Sequence, residues 1–192
     1  MKLKNNYYLL RHGEARSNKE RFVSCWPEKI YNPLTSKGIK QIKELIPILK
    51  KEKIDFIFSS DLLRTKQTAE MIAKQLKLKA DFDKRLREIK LGEFNGRLES
   101  DWNKFFKTPK ERFTKRPRGG ENYRDIKKRA FKFLEEINKK YKNKKILIIS
   151  HGAILFVLEA ITKGFNEGQE IIHRKKLIFK KGELRRFTIS RQ

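Results

Sequence analysis

One cysteine, Cys25, stands alone in the chain, which excludes an internal disulfide and a cysteine-based metal cluster. No apolar run approaches the roughly 20 residues of a membrane-spanning helix. The N-terminal stretch MKLKNNYYLLRHG holds one short apolar piece that breaks at Arg11, too short for the apolar segment of a secretory signal. These absences lead to the expectation of a cytoplasmic protein with no membrane partner. Acidic residues are scarce as well: 23 Asp and Glu face 49 Lys and Arg, a net charge of +26. Such a surplus favours anionic partners, whether phosphate esters, nucleic acid or an acidic membrane surface. Yet 33 of the basic residues are lysines scattered along the whole chain. Scatter describes a solvated surface better than a nucleic-acid stripe, so no specific nucleic-acid partner is expected.

What is present suffices for a core. Hydrophobic residues make up 38% of 192 positions and include 14 Phe, with no repeats and no low-complexity linker. One domain over residues 1–192 is expected. YYLL at 7–10 reads as a short buried strand. The spacing of Ile39, Ile42, Leu45, Ile46 and Leu49 predicts a helix over 36–51, capped by Thr35 or Ser36 and kinked at Pro47. IDFIFSS (54–60) reads as a second strand, and 61–77 as a helix capped by Ser60 or Asp61. A short strand over 78–83 and a loop-rich stretch over 92–121 come next. Residues 122–142 form an amphipathic helix, 144–150 a third apolar strand and 152–164 a further helix. KLIFKKGELRRFTI (176–189) reads as a C-terminal hairpin turning near Gly182. Strands alternating with helices imply a three-layer α/β/α domain around a mostly parallel sheet.

Two of the three histidines sit in LLRHGEARSN (9–18) and IISHGAIL (148–155), each after an apolar strand and before a glycine. In open α/β sheets, ligands bind beyond the carboxyl ends of the strands. Three such ends carry Arg11-His12-Gly13, Ser59-Ser60-Asp61 with Arg64 one turn on, and Ser150-His151-Gly152. If the strands are parallel, these residues converge. Two histidines, two arginines and helix N-termini make an oxyanion site suited to a phosphoryl group. The glycines suit tight turns and a close approach of backbone to ligand.

At these residues the chain resembles the histidine phosphatase superfamily, with its phosphoglycerate mutase-like fold. LLRHGEARSN, YNPLTSKGIKQI, FSSDLLRTKQTAEMI, LREIKLGEFNG and IISHGAIL resemble five family motifs in order, covering residues 7 to about 165. The resemblance implies that His12 is the nucleophile that becomes phosphohistidine. It implies that Arg11, Arg64 and His151 hold the phosphoryl oxygens, with Asn18 as a further donor and Gly152 beside them. Glu88 resembles the proton donor to the leaving group, with Glu93 as a nearby rival. For Glu14 a place in the catalytic set is weighed equally against a role in orienting the arginine or in the helix start. RGGENYRD departs from the family in placing Asn122 where a serine often stands, and Asn122 is itself an acceptable cap. Neither a metal nor a cofactor is implied.

The expected activity is that of a metal-independent phosphatase acting on a small phosphorylated metabolite such as a sugar phosphate, phosphoserine, phosphoglycerate or nucleotide ester. Mutases of the superfamily are typically longer after the acidic motif, and only about 60 residues separate Glu88 from His151 here. Phosphoglycerate mutase-type transfer is the alternative; a non-catalytic binder of a phosphorylated ligand or nucleic acid is the alternative of another class. Residues 94–122 lie where the family carries a variable lid. Trp102, Phe105, Phe106 and Phe113 there either pack on the core or line a basic mouth, with Cys25-Trp26-Pro27 as the opposite wall. Monomer and dimer both stay open.

Overall fold

In a computed structural model that describes residues 2–187, the apolar stretches NYYLLR and KILIIS become strands β1 (Asn6–Arg11) and β4 (Lys145–Ser150). They are buried on both faces, as interior parallel strands must be. FIFS forms β2 (Phe56–Ser59), and Ala80–Phe82 forms the short β3. β5 (Leu184–Phe187) completes a sheet of order β3-β2-β4-β1-β5. β3, β2, β4 and β1 run parallel, and β5 is antiparallel to β1.

Side-chain alternation along the strands divides the core into two layers. Tyr8, Leu10, Leu147 and Ile149 face one way and pack with Ile42 and Leu49 of α2 (Ser36–Glu52) and Ala69 and Ile72 of α3 (Leu63–Leu76). Tyr7, Leu9, Ile146 and Ile148 face the other way. That layer holds α6 (Tyr123–Lys140), through Ile126 and Phe133, and the almost wholly apolar α7 (Gly152–Thr162). The result is an α/β/α sandwich, as the strand-helix alternation implied.

The caps explain where the long helices start. Thr35 accepts from the Gly38 N–H to open α2. Asn122 and Asp125 form a reciprocal capping box on α6, so the substituted cap does its ordinary job. The other expected cap is not used. α3 starts at Leu63, and neither Ser60 nor Asp61 caps it. Asp61 is drawn off by Arg87, whose Nε and Nη2 lie 2.7 and 2.5 Å from the carboxylate, and Ser60 turns to His151. A short α1 (Arg16–Glu20) after β1 was not anticipated.

Two further stretches differ from expectation. Residues 92–121 are loop-rich but contain a 3-10 turn at 92–94 and the short helices α4 (Glu99–Lys104) and α5 (Glu111–Thr114). The C-terminal hairpin does not form. Glu167–Ile172 is α8, and α9 (Arg174–Leu177) takes the start of the expected first strand. β5 pairs instead with β1, whose outer edge would otherwise expose unpaired backbone groups. The turn at Gly182 is real, with φ of 70° and its N–H on the His12 carbonyl at 3.1 Å. Positions 188–189 of the expected hairpin lie outside the described residues.

Gly13 is required by packing against Gly38. A Cβ on Gly13 would sit 2.4 Å from the Gly38 carbonyl oxygen, and one on Gly38 would sit 2.0 Å from the Glu14 carbonyl oxygen. The loop after β1 therefore lies backbone to backbone on the start of α2. Gly38→Ala is expected to cost about 1–3 kcal/mol, the range for forcing extra volume into a packed site. Urea denaturation of the two proteins measures it, and an unchanged midpoint would contradict the contact.

Candidate active site

The β1–β4 register, with Arg11 opposite Ser150, puts His12 and His151 one step past the same sheet edge. The His12 N–H donates to the Ser150 carbonyl at 3.2 Å, and the Ser60 N–H to the Ile149 carbonyl at 3.1 Å. The ladder thus extends beyond the strands and brings all three residues together.

His12 is 2% exposed. Its Nδ1 lies 2.7 Å from the Gly13 carbonyl oxygen. That oxygen only accepts, so Nδ1 carries the proton and Nε2 keeps its lone pair. Arg64 Nε donates to this Nε2 at 3.2 Å. Burial, and then the positive charges of Arg64 and Arg11, hold the His12 pKa well below the ordinary imidazole value. The ring is kept neutral, with its lone pair on Nε2.

His151 is fully buried, and its ring stands edge-on to His12 with centroids 5.2 Å apart. Its Nε2 lies 2.9 Å from Ser60 Oγ. Ser60 Oγ also accepts from the Leu62 N–H at 3.3 Å and keeps both a lone pair and a proton, so either neutral tautomer of His151 satisfies this contact. The other ring nitrogen, Nδ1, is buried without a partner. With its proton on Nδ1 the ring has a donor free for an anionic oxygen. Burial is the first cause of the depressed His151 pKa, followed by Arg64, His12 and Arg11.

The arginines are held by groups that sequence reasoning missed. Arg64 is 3% exposed. It reaches Glu28 Oε1 through Nη1 at 3.2 Å and the Ser24 carbonyl through Nη2 at 3.0 Å. Arg11 donates through Nη1 to the Phe179 carbonyl at 2.6 Å, and its Nε is buried and unpartnered. Its guanidinium carbon lies 3.3 Å from where a Gly152 Cβ would be, so glycine leaves room for an arginine plane. Burial lowers the pKa of both arginines, and Glu88 opposes it.

Arg11, His12, Asn18, Arg64, Glu88 and Gly152 line one cavity of about 220 Å³. His151 lies behind it, against His12. Asn18 Oδ1 accepts from the Ala15 N–H at 3.0 Å. Glu88 Oε1 accepts from the Ile89 N–H at 2.9 Å. Arg129 of α6 fixes that turn by donating to the carbonyls of Arg85, Arg87 and Glu88 while pairing with Glu121. Glu93 does not line the cavity, and its carboxylate accepts from the Arg118 N–H at 3.0 Å. Glu14 belongs to the start of α2, bonded to Thr35 Oγ1 and Lys37. Cys25-Trp26-Pro27 is not the opposite wall. Cys25 is buried beneath the Leu91 N–H, Trp26 lies under the Arg87 guanidinium, and Phe22, Val23 and Ser24 line the cavity instead. Trp102, Phe105 and Phe106 cluster with Phe94, and Trp102 also reaches the cavity wall.

The two depressed histidines carry a pH consequence. In the unfolded chain both take a proton near pH 6.5; folded, they resist it. Their contribution to stability is complete above about pH 6.5 and is lost as pH falls toward the depressed folded-state values. Urea unfolding from pH 7.5 to 5 is expected to show stability falling with acid, with a shallower slope in His151→Asn. A flat profile in the parent protein would contradict the buried neutral pair.

Residues 7–177 match the family described as histidine phosphatase superfamily (branch 1). Fructose-2,6-bisphosphatase TIGAR of Bos taurus is 39% identical over 134 residues, 66% of this chain and 48% of that protein. The chain therefore spans about half the length of that relative. The probable phosphoglycerate mutase GpmB of Salmonella choleraesuis is 32% identical over 164 residues, 82% of this chain and 74% of that one. The solved structure of Bacillus stearothermophilus YhfR superposes with a TM-score of 0.80 at 26% identity, covering 95% of this chain and 90% of that one.

Proposed function

The chain belongs to the histidine phosphatase superfamily, and on that premise we propose that it hydrolyses a small phosphomonoester through a phosphohistidine on His12. The observation that carries this reading is the Nε2 lone pair of His12, enclosed by Arg64 and backed by the buried, unpartnered Nδ1 of His151.

An entering phosphoryl group takes over the Arg64 N–H that now covers Nε2. The lone pair attacks phosphorus in line with the ester oxygen, forming the N–P bond as the P–O bond breaks. Charge on the three equatorial oxygens meets Arg11, Arg64, the Asn18 amide and His151, which donates in its Nδ1–H tautomer. Such a preorganised donor is worth about 3–4 kcal/mol in the transition state. Glu88 gives its proton to the leaving oxygen. The resulting carboxylate then takes a proton from water as that water attacks phosphorus, and the N–P bond breaks to return His12 and inorganic phosphate. The arginines supply the positive charge, so the reaction as written calls for no metal.

A cavity of about 220 Å³ suits a small metabolite, being under the ~300–1,000 Å³ of drug-sized pockets. Phosphoryl transfer to a second substrate oxygen is the alternative reading, favoured by the mutase-named relative.

Phosphate release from sugar phosphates, phosphoglycerate, phosphoserine and nucleotide monoesters, in the presence of EDTA, tests the proposal. Release is expected from the parent protein and none from His12→Ala. Glu88→Gln is expected to slow turnover at least 10²-fold, the scale of lost general acid catalysis. Unchanged turnover in His12→Ala would sink the mechanism, and 3-phosphoglycerate isomerisation without release would favour the transfer reading.

A further inference from the structure

Most of the partly buried arginines in this fold close on a carboxylate. Arg85, Arg87, Arg129 and Arg185 do so at 2.5–3.0 Å. Arg112 of α5 and Arg174 of α9 line the same cavity as His12 and, among the described residues, form no ion pair. Arg112 Nη2 donates to Asn103 Oδ1 at 2.9 Å, and its guanidinium lies 4.5 Å from the Phe106 ring centre. Arg174 Nε is buried without a hydrogen-bond partner.

The Tyr123 side chain lies beside both guanidiniums. Burial raises the Tyr123 pKa, so it enters as a neutral hydroxyl and offers no counter-charge. Arg112 and Arg174 repel one another, and burial adds to the cost of charge on Arg112. Two like charges facing a cavity without a carboxylate between them destabilise the empty site, and an anion relieves both costs. The carboxylates that line the cavity are Glu88 and Glu99. Glu88 is committed to the leaving-group end, and Glu99 is exposed, with Arg11 and Lys181 among the charges it influences.

We infer that Arg112 and Arg174, with Tyr123, form a second anion subsite, and that the substrate is a phosphate ester bearing a further carboxylate or phosphate on a short carbon frame. The inference rests on the phosphatase reading for the first phosphoryl group and adds the class of its carrier. Ile178, Ala153, Phe156 and Trp102 supply apolar wall in the same cavity, suited to a short carbon frame. Planar guanidiniums accept either a carboxylate or a phosphate through paired donors. The subsite is built on α5 and α9, elements outside every family motif found in the sequence.

The test compares 3-phosphoglycerate with glycerol 3-phosphate, which share a phosphoryl group and a frame and differ by one carboxylate. The parent protein is expected to favour 3-phosphoglycerate at least tenfold in kcat/KM, and fructose 1,6-bisphosphate over fructose 6-phosphate in the same sense. Arg174→Gln and, separately, Arg112→Gln are expected to cut that ratio about tenfold. Arg174→Lys, which keeps the charge, is expected to restore part of it, as a purely structural role would not require. Thermal unfolding of each variant identifies any that fails to fold, and Arg112 on the surface helix serves as the independent position. A parent ratio near one, or a ratio unchanged in both Gln variants, overturns the subsite. Calorimetric binding of the same pair to His12→Ala separates the two readings. Discrimination lost in the double variant His12→Ala/Arg174→Gln supports the subsite even if no ester is hydrolysed, and equal binding of the pair to His12→Ala overturns it.

Discussion

The pairing of β4 between β1 and β2 is the constraint on which the site depends. Arg11 stands opposite Ser150 and Ser59 opposite Ile149, so the next residue on each strand falls at one edge. A slip of one residue would turn every side chain to the other face of the sheet. The register resists that slip because Leu9, Leu10 and Ile146–Ile149 are all at most 1% exposed, divided between two apolar layers. Each buried side chain of this kind contributes about 1.5–3 kcal/mol. The same burial that stabilises the sheet therefore aligns the two histidine rings. The backbone bonds of His12 and Ser60 past the strand ends carry that alignment into the loops.

This alignment concentrates positive charge where water is excluded. Arg11, Arg64, His12 and His151 share one buried region, and Glu28 is the carboxylate that touches the set directly, on the far side of Arg64 from His12. The electrostatic stress is resolved by keeping both histidines neutral. Under the proposed reaction, a phosphate dianion would relieve it further, with Arg11 Nε as a buried donor that has no other partner.

The parts of the site legible in the sequence are those that local pattern places. An apolar run followed by His-Gly marks a strand end, and a parallel sheet then forces convergence of His12, His151 and Arg64. Glu88 was reachable through the motif around it. Ser60 reads both as a strand-end residue of the site and as a helix cap, because a serine before a helix has two competing partners, and the tertiary fold gives its hydroxyl to His151. Glu28, the Ser24 and Phe179 carbonyls, Arg112 and Arg174 carry no local signal at all. Each reaches the site through long-range packing, and a carbonyl looks the same at every position of a sequence. The expected hairpin failed for a related reason. A short apolar-basic stretch suits a strand or a helix turn equally, and the open edge of β1 decided between them by recruiting only residues 184–187.

Lysine and arginine divide the chain's charge between two tasks. The lysines are spread over an exposed surface, where interactions between charges are screened beyond about 8 Å at physiological salt. They raise the local concentration of any anion without choosing among anions. The cavity is lined instead by Arg11, Arg64, Arg112 and Arg174, whose planar donors keep their direction and whose partial burial escapes most of that screening. Binding of a polyanion to the surface would consequently weaken steeply with salt, whereas recognition of an ester in the cavity would weaken far less. The +26 charge is therefore poor grounds for a nucleic-acid role, and the unpaired arginines inside the cavity are the better guide to what this protein holds.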